Sequence, residues 1–269
     1  MDTQLNDKVV VVTAGTSNIG RAIALEFAQE GARLLVVGRD AQAGQAVVEQ
    51  SLALGAREAR FAAIDLCAGS CGESILAAAT ELGPVSVLVN GLGGNADQGF
   101  FVDSDPALWQ DDIELNFLSL LRVTHALLPQ MIAQGEGAIV NIGSTAALVG
   151  DYMLPVYSAL KGAVHSFTKV LAKEVGQHGI RVNAIAPYGT LSKDPADYSR
   201  GSRFHPDNNF FAGIGDLPDS DRAMRSRRTL VGKPFAVPTE ISALAVYLAS
   251  PRASFVTGQV WSIDGGSLL

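Results

Sequence analysis

Tyr157 and Lys161 stand four residues apart in the stretch 155–177, whose apolar spacing predicts an amphipathic helix. On a helix that spacing places both side chains on one face. A phenol and an ammonium so arranged can form an acid–base couple. A free tyrosine titrates near pH ~10 and shuttles protons poorly at neutrality, whereas a fixed positive charge beside it favours the phenolate. Tyr157 would then give a proton to a substrate oxygen in one direction of a reaction and take it back in the other. Ser144, just past a predicted strand, offers a hydroxyl able to hydrogen-bond that oxygen. The Tyr/Lys spacing alone is commonplace on helix surfaces, and a serine in Gly143-Ser144-Thr145 also reads as a turn or cap residue. A hydrolytic triad is not expected: the nucleophile-elbow spacing is absent and no histidine is evidently paired with Ser144. Asn116 falls inside another predicted helix, 106–133, an unfavourable place for asparagine that requires a reason.

The elements that must position these residues alternate along the whole chain. Runs rich in β-branched residues at 8–13, 33–38, 60–65, 85–90, 138–142, 180–185 and 259–263 are apolar almost throughout, as parallel strands covered on both faces should be. Between them, 19–30, 41–54, 74–82, 106–133, 155–177 and 240–249 read as helices. This alternation predicts right-handed crossovers and an α/β fold, a Rossmann-type doubly wound parallel sheet of about seven strands in a single domain. The stretch 191–230 breaks the pattern with Pro195, Pro206, Pro218 and the aromatics Tyr198, Phe204, Phe210 and Phe211. A long aperiodic segment after a strand's carboxyl end is expected to be a lid over a ligand.

The first strand runs straight into Thr13-Ala14-Gly15-Thr16-Ser17-Asn18-Ile19-Gly20 and then a helix, the setting for a dinucleotide pyrophosphate on a helix N-terminus. Ala14 and Asn18 stand where such loops usually carry glycine; asparagine tolerates the left-handed region better than most side chains. This loop resembles the Thr-Gly-x-x-x-Gly-x-Gly pattern of the short-chain dehydrogenase/reductase family. The rest of the chain is similar to that family too: Asn90-Gly91-Leu92-Gly93, Trp109, Asn116, Ser144 with Tyr157 thirteen positions on, Lys161, the 181–187 run Arg-Val-Asn-Ala-Ile-Ala-Pro, and Asp264-Gly265-Gly266. The resemblance implies an NAD(P)-dependent oxidoreductase with Asn116, Ser144, Tyr157 and Lys161 as catalytic residues. Asn116 would hold a water that links Lys161 to solvent. It also implies cofactor contacts at Gly15, Ser17, Asn18, Ile19, Arg39, Asp65, Leu66, Asn90, Gly91, Tyr157, Lys161, Pro187, Gly189 and Thr190. The family's usual glycine after Pro187 is replaced here by Tyr188.

An NAD-selective fold places an acid at the end of the second strand. Here that position holds Gly38, followed by Arg39, which suits a 2′-phosphate; NADP(H) is favoured, with NAD(H) possible. Asp40 can cap the next helix or reach the ribose. Leu148, Met153, Leu154 and the lid aromatics suggest a mainly apolar ketone or secondary alcohol. Arg200, Arg203, Arg222, Arg225, Arg227 and Arg228 read first as a solvated face, and alternatively as receivers of an anionic or carrier-linked substrate. The competing functions are a β-ketoacyl thioester reductase and a non-catalytic NADP-binding sensor. A net charge of −7 argues against a nucleic-acid partner. No apolar run approaches the roughly 20 residues of a membrane span, and the first residues lack a signal-peptide pattern. Cys67 and Cys71 read as ordinary thiols and no metal is expected. The expected setting is a cytoplasmic homo-oligomer, a tetramer by the family resemblance, with 106–133 and 155–177 at its interface.

Overall fold

The computed structural model describes residues 2–95, 98–208 and 217–269. Seven strands form one parallel sheet: β1 (Val9–Thr13), β2 (Arg33–Gly38), β3 (Glu58–Ala63), β4 (Val85–Asn90), β5 (Gly137–Ile142), β6 (Ile180–Pro187) and β7 (Val260–Ile263). Their spatial order is β3-β2-β1-β4-β5-β6-β7. The chain starts in the middle, winds out to β3, then crosses back to β4 and winds the other way. That reversal opens a crevice at the carboxyl ends of β1 and β4, where ligands bind in open α/β sheets. The central strands are apolar because both faces are covered: all five residues of β1 are buried.

Helices α1 (Asn18–Gln29), α2 (Ala41–Leu54), α3 (Cys71–Thr80), α4 (Pro106–Ile113), α5 (Ser119–Gln134), α6 (Ala146–Val149), α7 (Pro155–Val175), α8 (Asp219–Arg225) and α9 (Pro238–Ala249) complete the chain. Phe27 of α1 and Ile241 of α9 pack with Val10 and Val140 on one face of the sheet. Ile75 of α3, Leu127 of α5 and Leu171 of α7 pack with Val11 and Ile139 on the other. Each such buried side chain contributes about 1.5–3 kcal/mol of transfer free energy.

Three expectations need correction. The third strand lies at 58–63 rather than 60–65, since its register is set by pairing Arg33 with Glu58 through Gly38 with Ala63. As an edge strand it carries charge, with Arg60 bonding Glu58 at 2.9 Å and Glu81 at 2.6 Å. Helix 106–133 is not continuous: a π-turn at Glu114–Leu118 separates α4 from α5 and contains Asn116. The lid is not wholly irregular, for α8 has acids in its first turn and arginines in its last, matching the helix dipole. It went unread because none of its residues is buried, which removes any apolar period. Phe210 and Phe211 lie outside the described residues.

Candidate active site

A cleft of about 730 Å³ runs along the carboxyl ends of the strands, lined from Thr16 and Arg39 at one end to Ser144, Tyr157 and Arg225 at the other. At its centre Lys161 is only 2 % exposed and donates to the Ile142 carbonyl at 3.0 Å. Its ammonium lies 5.8 Å from the centroid of the Tyr157 ring, one turn back on α7. Burial lowers the Lys161 pKa to about 8, so most of it remains charged at neutrality. The Tyr157 hydroxyl is in hydrogen-bond contact with Ser144. Desolvation outweighs that bond and holds its pKa above the ordinary tyrosine value, with Asp151 pushing the same way. The expected lowering by Lys161 therefore does not prevail in the protein alone; Tyr157 is a proton-holding phenol there.

Asn116 is 1 % exposed, and its reason for sitting mid-helix is visible. Its amide nitrogen donates to the carbonyls of Asp112 (3.0 Å) and Gly94 (2.6 Å), and its oxygen accepts from the Gly94 N–H at 3.1 Å. The side chain thus clamps the turn after β4 to the widened helix, and π-turns recur at functional sites for such purposes. That turn passes Lys161 so closely that a Cβ on Gly93 would stand 2.5 Å from Nζ and 3.3 Å from Asn116 Oδ1.

His165, one further turn along α7, was not singled out from sequence although it shares the face of Tyr157 and Lys161. Its Nε2 accepts the Ser144 N–H at 3.4 Å. Burial, then Lys161 and Lys169, lower its pKa to about 4. The unfolded chain holds the histidine proton up to pH ~6.5, so between that pH and about 4 it binds more protons than the folded one. Stability is therefore lost as pH falls through this window, by up to about 3 kcal/mol. Thermal melts from pH 7 to 4 should show the loss, and His165→Gln should flatten the curve; an unchanged slope would remove His165 from the account.

At the other end, Thr16, Ser17, Asn18, Ile19 and Gly20 line the cleft where α1 begins. Ser17 makes no side-chain cap, so the first-turn amides face the cleft without it. Asn18 takes φ 44°, as expected, and Ala14 takes φ 52° without asparagine's tolerance. Asn18 Nδ2 donates to the Thr190 carbonyl at 3.0 Å, while its Oδ1 is buried with no hydrogen-bond partner. Gly38 lies against Thr16, whose methyl would stand 2.8 Å from an added Cβ. Arg39 lines the cleft, exposed and outside every ion pair among the described residues. Asp40 caps α2 through the Ala43 N–H at 3.1 Å and accepts the Arg200 N–H at 3.0 Å. These bonds hold its carboxyl below the usual range, Ala43's being the largest cause. Asp65 lies two residues beyond β3, lines the cleft and accepts the Cys67 N–H at 3.1 Å. Leu66, Gly91, Pro187, Gly189 and Thr190 line it too.

Two expected cofactor residues do not reach the cleft. Gly15 is buried under the loop against Val36. Asn90 is 3 % exposed and points into the interior, its amide donating to Asn141 (2.9 Å) and Thr124 (3.1 Å). Strand alternation turns it away from the crevice.

Described residues of the 191–230 segment reach both ends of the cleft. Ser199 N–H donates to Ser17 Oγ at 3.3 Å, Arg21 pairs with Asp197 at 2.8 Å, and Arg200 Nη2 donates to Gln42 at 3.0 Å, so 197–200 straps the cradle of α1 and α2. The arginines divide: Arg200, Arg222 and Arg228 are exposed, Arg203 and Arg225 line the cleft, and Arg227 is partly buried behind it. Of the expected apolar wall, Leu154 and Phe204 line the cleft, whereas Leu148 is 47 % exposed.

The sequence matches the family model described as short chain dehydrogenase over residues 8–200. The chain belongs to the short-chain dehydrogenase/reductase family, and is an oxidoreductase of the kind that acts on CH–OH groups. It is 31 % identical to 2-(S)-hydroxypropyl-CoM dehydrogenase 3 of Xanthobacter autotrophicus, covering 99 % of this chain and 98 % of that one. It is 32 % identical to a 3-oxoacyl-(acyl-carrier-protein) reductase of Chlamydia muridarum, covering 99 % of each. Among solved structures it resembles L-sorbose reductase from Gluconobacter frateurii complexed with NADPH and L-sorbose. There the TM-score is 0.83 at 28 % identity, over 100 % of this chain and 99 % of that one. Among the described residues no helix is long and apolar enough to cross a membrane.

Proposed function

We propose that this protein reduces a ketone, or oxidises the matching secondary alcohol, with NADP(H) as its preferred cofactor and Asn116, Ser144, Tyr157 and Lys161 as its working residues. The observation that carries the reading is the Ser144–Tyr157–Lys161 grouping at the centre of the cleft. Tyr157 gives its hydroxyl proton to the substrate oxygen on reduction and recovers it on oxidation. Ser144 hydrogen-bonds the same oxygen and stabilises charge that develops there. Lys161 fixes a positive charge under the site, and Asn116 keeps the turn over it in place.

The cradle fits a dinucleotide: an uncapped helix N-terminus, the orphaned Oδ1 of buried Asn18, and a side-chain-free Gly38. Thr16, Ser17, Asn18 and Ile19 would hold the pyrophosphate, Arg39 a 2′-phosphate, Asp65 and Leu66 the adenine, and Gly91, Pro187, Gly189 and Thr190 the nicotinamide half. When bound, the cofactor supplies the hydride for reduction and accepts it in oxidation. Preference for NADP(H) is supported by the charge of Arg39 and by Asp40, which is engaged as a helix cap. Arg39→Ala should lower kcat/KM with NADPH by about 10- to 100-fold and leave NADH nearly unaffected. A wild-type preference for NADH would overturn this assignment.

The reading is tested by following cofactor absorbance over a panel of ketones and alcohols. Activity confined to acetoacetyl thioesters would favour the carrier-linked alternative, which the Chlamydia relative supports. A homotetramer built on α5 and α7, working in the cytoplasm, is the assembly we propose; light scattering that reports a monomer would exclude it.

A further inference from the structure

The substrate end of the cleft carries two guanidinium groups against one carboxylate. Asp151, in the loop between α6 and α7, is already paired: its Oδ1 lies 2.9 Å from Arg227 Nη2. That nitrogen also donates to Thr145 Oγ1 at 2.8 Å, and the guanidinium lies 4.3 Å from the centroid of the Tyr188 ring. The Arg227 N–H donates to the Tyr188 hydroxyl at 3.1 Å, and the Tyr152 hydroxyl donates to Asp221 of α8 at 3.1 Å. These contacts fix the lid's arginines over the start of α7, the helix that bears Tyr157, at the opposite end from Arg39. Charge in the Arg227–Asp151 pair cancels.

Arg225 has no such match. It lines the cleft, is half-buried, and donates through Nη2 to Gln98 Oε1 at 2.6 Å, a neutral acceptor. No carboxylate forms an ion pair with it among the described residues. Arg227 in turn keeps Nε and Nη1 buried without hydrogen-bond partners. A partly desolvated cation without a carboxylate partner is unfavourable unless an anion arrives. Guanidinium favours planar oxyanions, to which it binds through paired N–H donors.

We infer that the substrate carries an oxyanion headgroup, such as a carboxylate, sulfonate or phosphate monoester, received by Arg225. This rests on the oxidoreductase reading above and narrows its substrate class from a mainly apolar ketone to an anionic one. No bond is made or broken at this subsite; it orients the reacting carbon beneath Tyr157.

The test compares three oxo acids of increasing length (acetoacetate, 4-oxopentanoate and 5-oxohexanoate) with their methyl esters, using NADPH and wild-type protein. Acetonyl sulfonate and acetonyl phosphate distinguish the source of the anion. At one length or headgroup the anion should exceed its neutral counterpart by about 10- to 100-fold in kcat/KM, carried by KM. Arg225→Gln should abolish the preference, lowering kcat/KM for the anions far more than for the esters, with the melting temperature kept. Titration calorimetry on the cofactor-loaded protein provides a readout besides turnover. Anion binding that Arg225→Gln weakens, with no ketone reduced, would retain the subsite and count against the oxidoreductase reading. Esters handled as well as acids, or no anion bound, or a preference indifferent to Arg225→Gln, would each overturn the subsite.

Discussion

Tyr157→Phe is expected to reduce kcat by about 10²- to 10⁴-fold, the share of rate that a placed general acid supplies. The substitution removes one hydroxyl and keeps the ring, so the contact beside Lys161 persists. Cofactor dissociation constants, read by fluorescence titration, should change less than about threefold, because a lone lost hydrogen bond has a small net value. The pairing of those two measurements is diagnostic. A variant that binds cofactor normally but turns over near the wild-type rate would place the proton donor elsewhere.

Gly93→Ala is expected to lower kcat as well, through a single methyl group. The added Cβ would stand 2.5 Å from Lys161 Nζ. A lysine terminus moves aside readily, so stability should fall by less than about 1 kcal/mol. The displaced ammonium, however, no longer lies under Tyr157, and kcat should drop about 100-fold. The pH profile distinguishes this from general damage. Wild-type turnover should decline above about pH 8 as Lys161 loses its proton, whereas the residual rate of Gly93→Ala should not follow that titration. Unimpaired turnover would show that Lys161 tolerates displacement.

Most of the scaffold could be read from sequence because parallel strands buried on both faces leave uninterrupted apolar runs. The bounds at 85–90 and 41–54 match β4 and α2 residue for residue. The π-turn could not be read, since Glu114–Leu118 has the same composition in either helical form and only its contacts with Gly94 and Asp112 disclose it. The family resemblance puts Asn90 among the cofactor contacts, but its side chain joins Asn141 and Thr124 inside the fold. The lid arginines resisted division for another reason. Their segment has no period, and a face cannot be assigned without one. His165 was legible in principle, four residues beyond Lys161, but a histidine on a buried helix face carries no distinguishing neighbour in sequence.

The strap over the cradle also has a thermodynamic meaning. One short stretch, 197–200, bonds Ser17 and Arg21 at the start of α1 and Gln42 at the start of α2. Those bonds join three separate segments, so a ligand held by all three spends less entropy on ordering them.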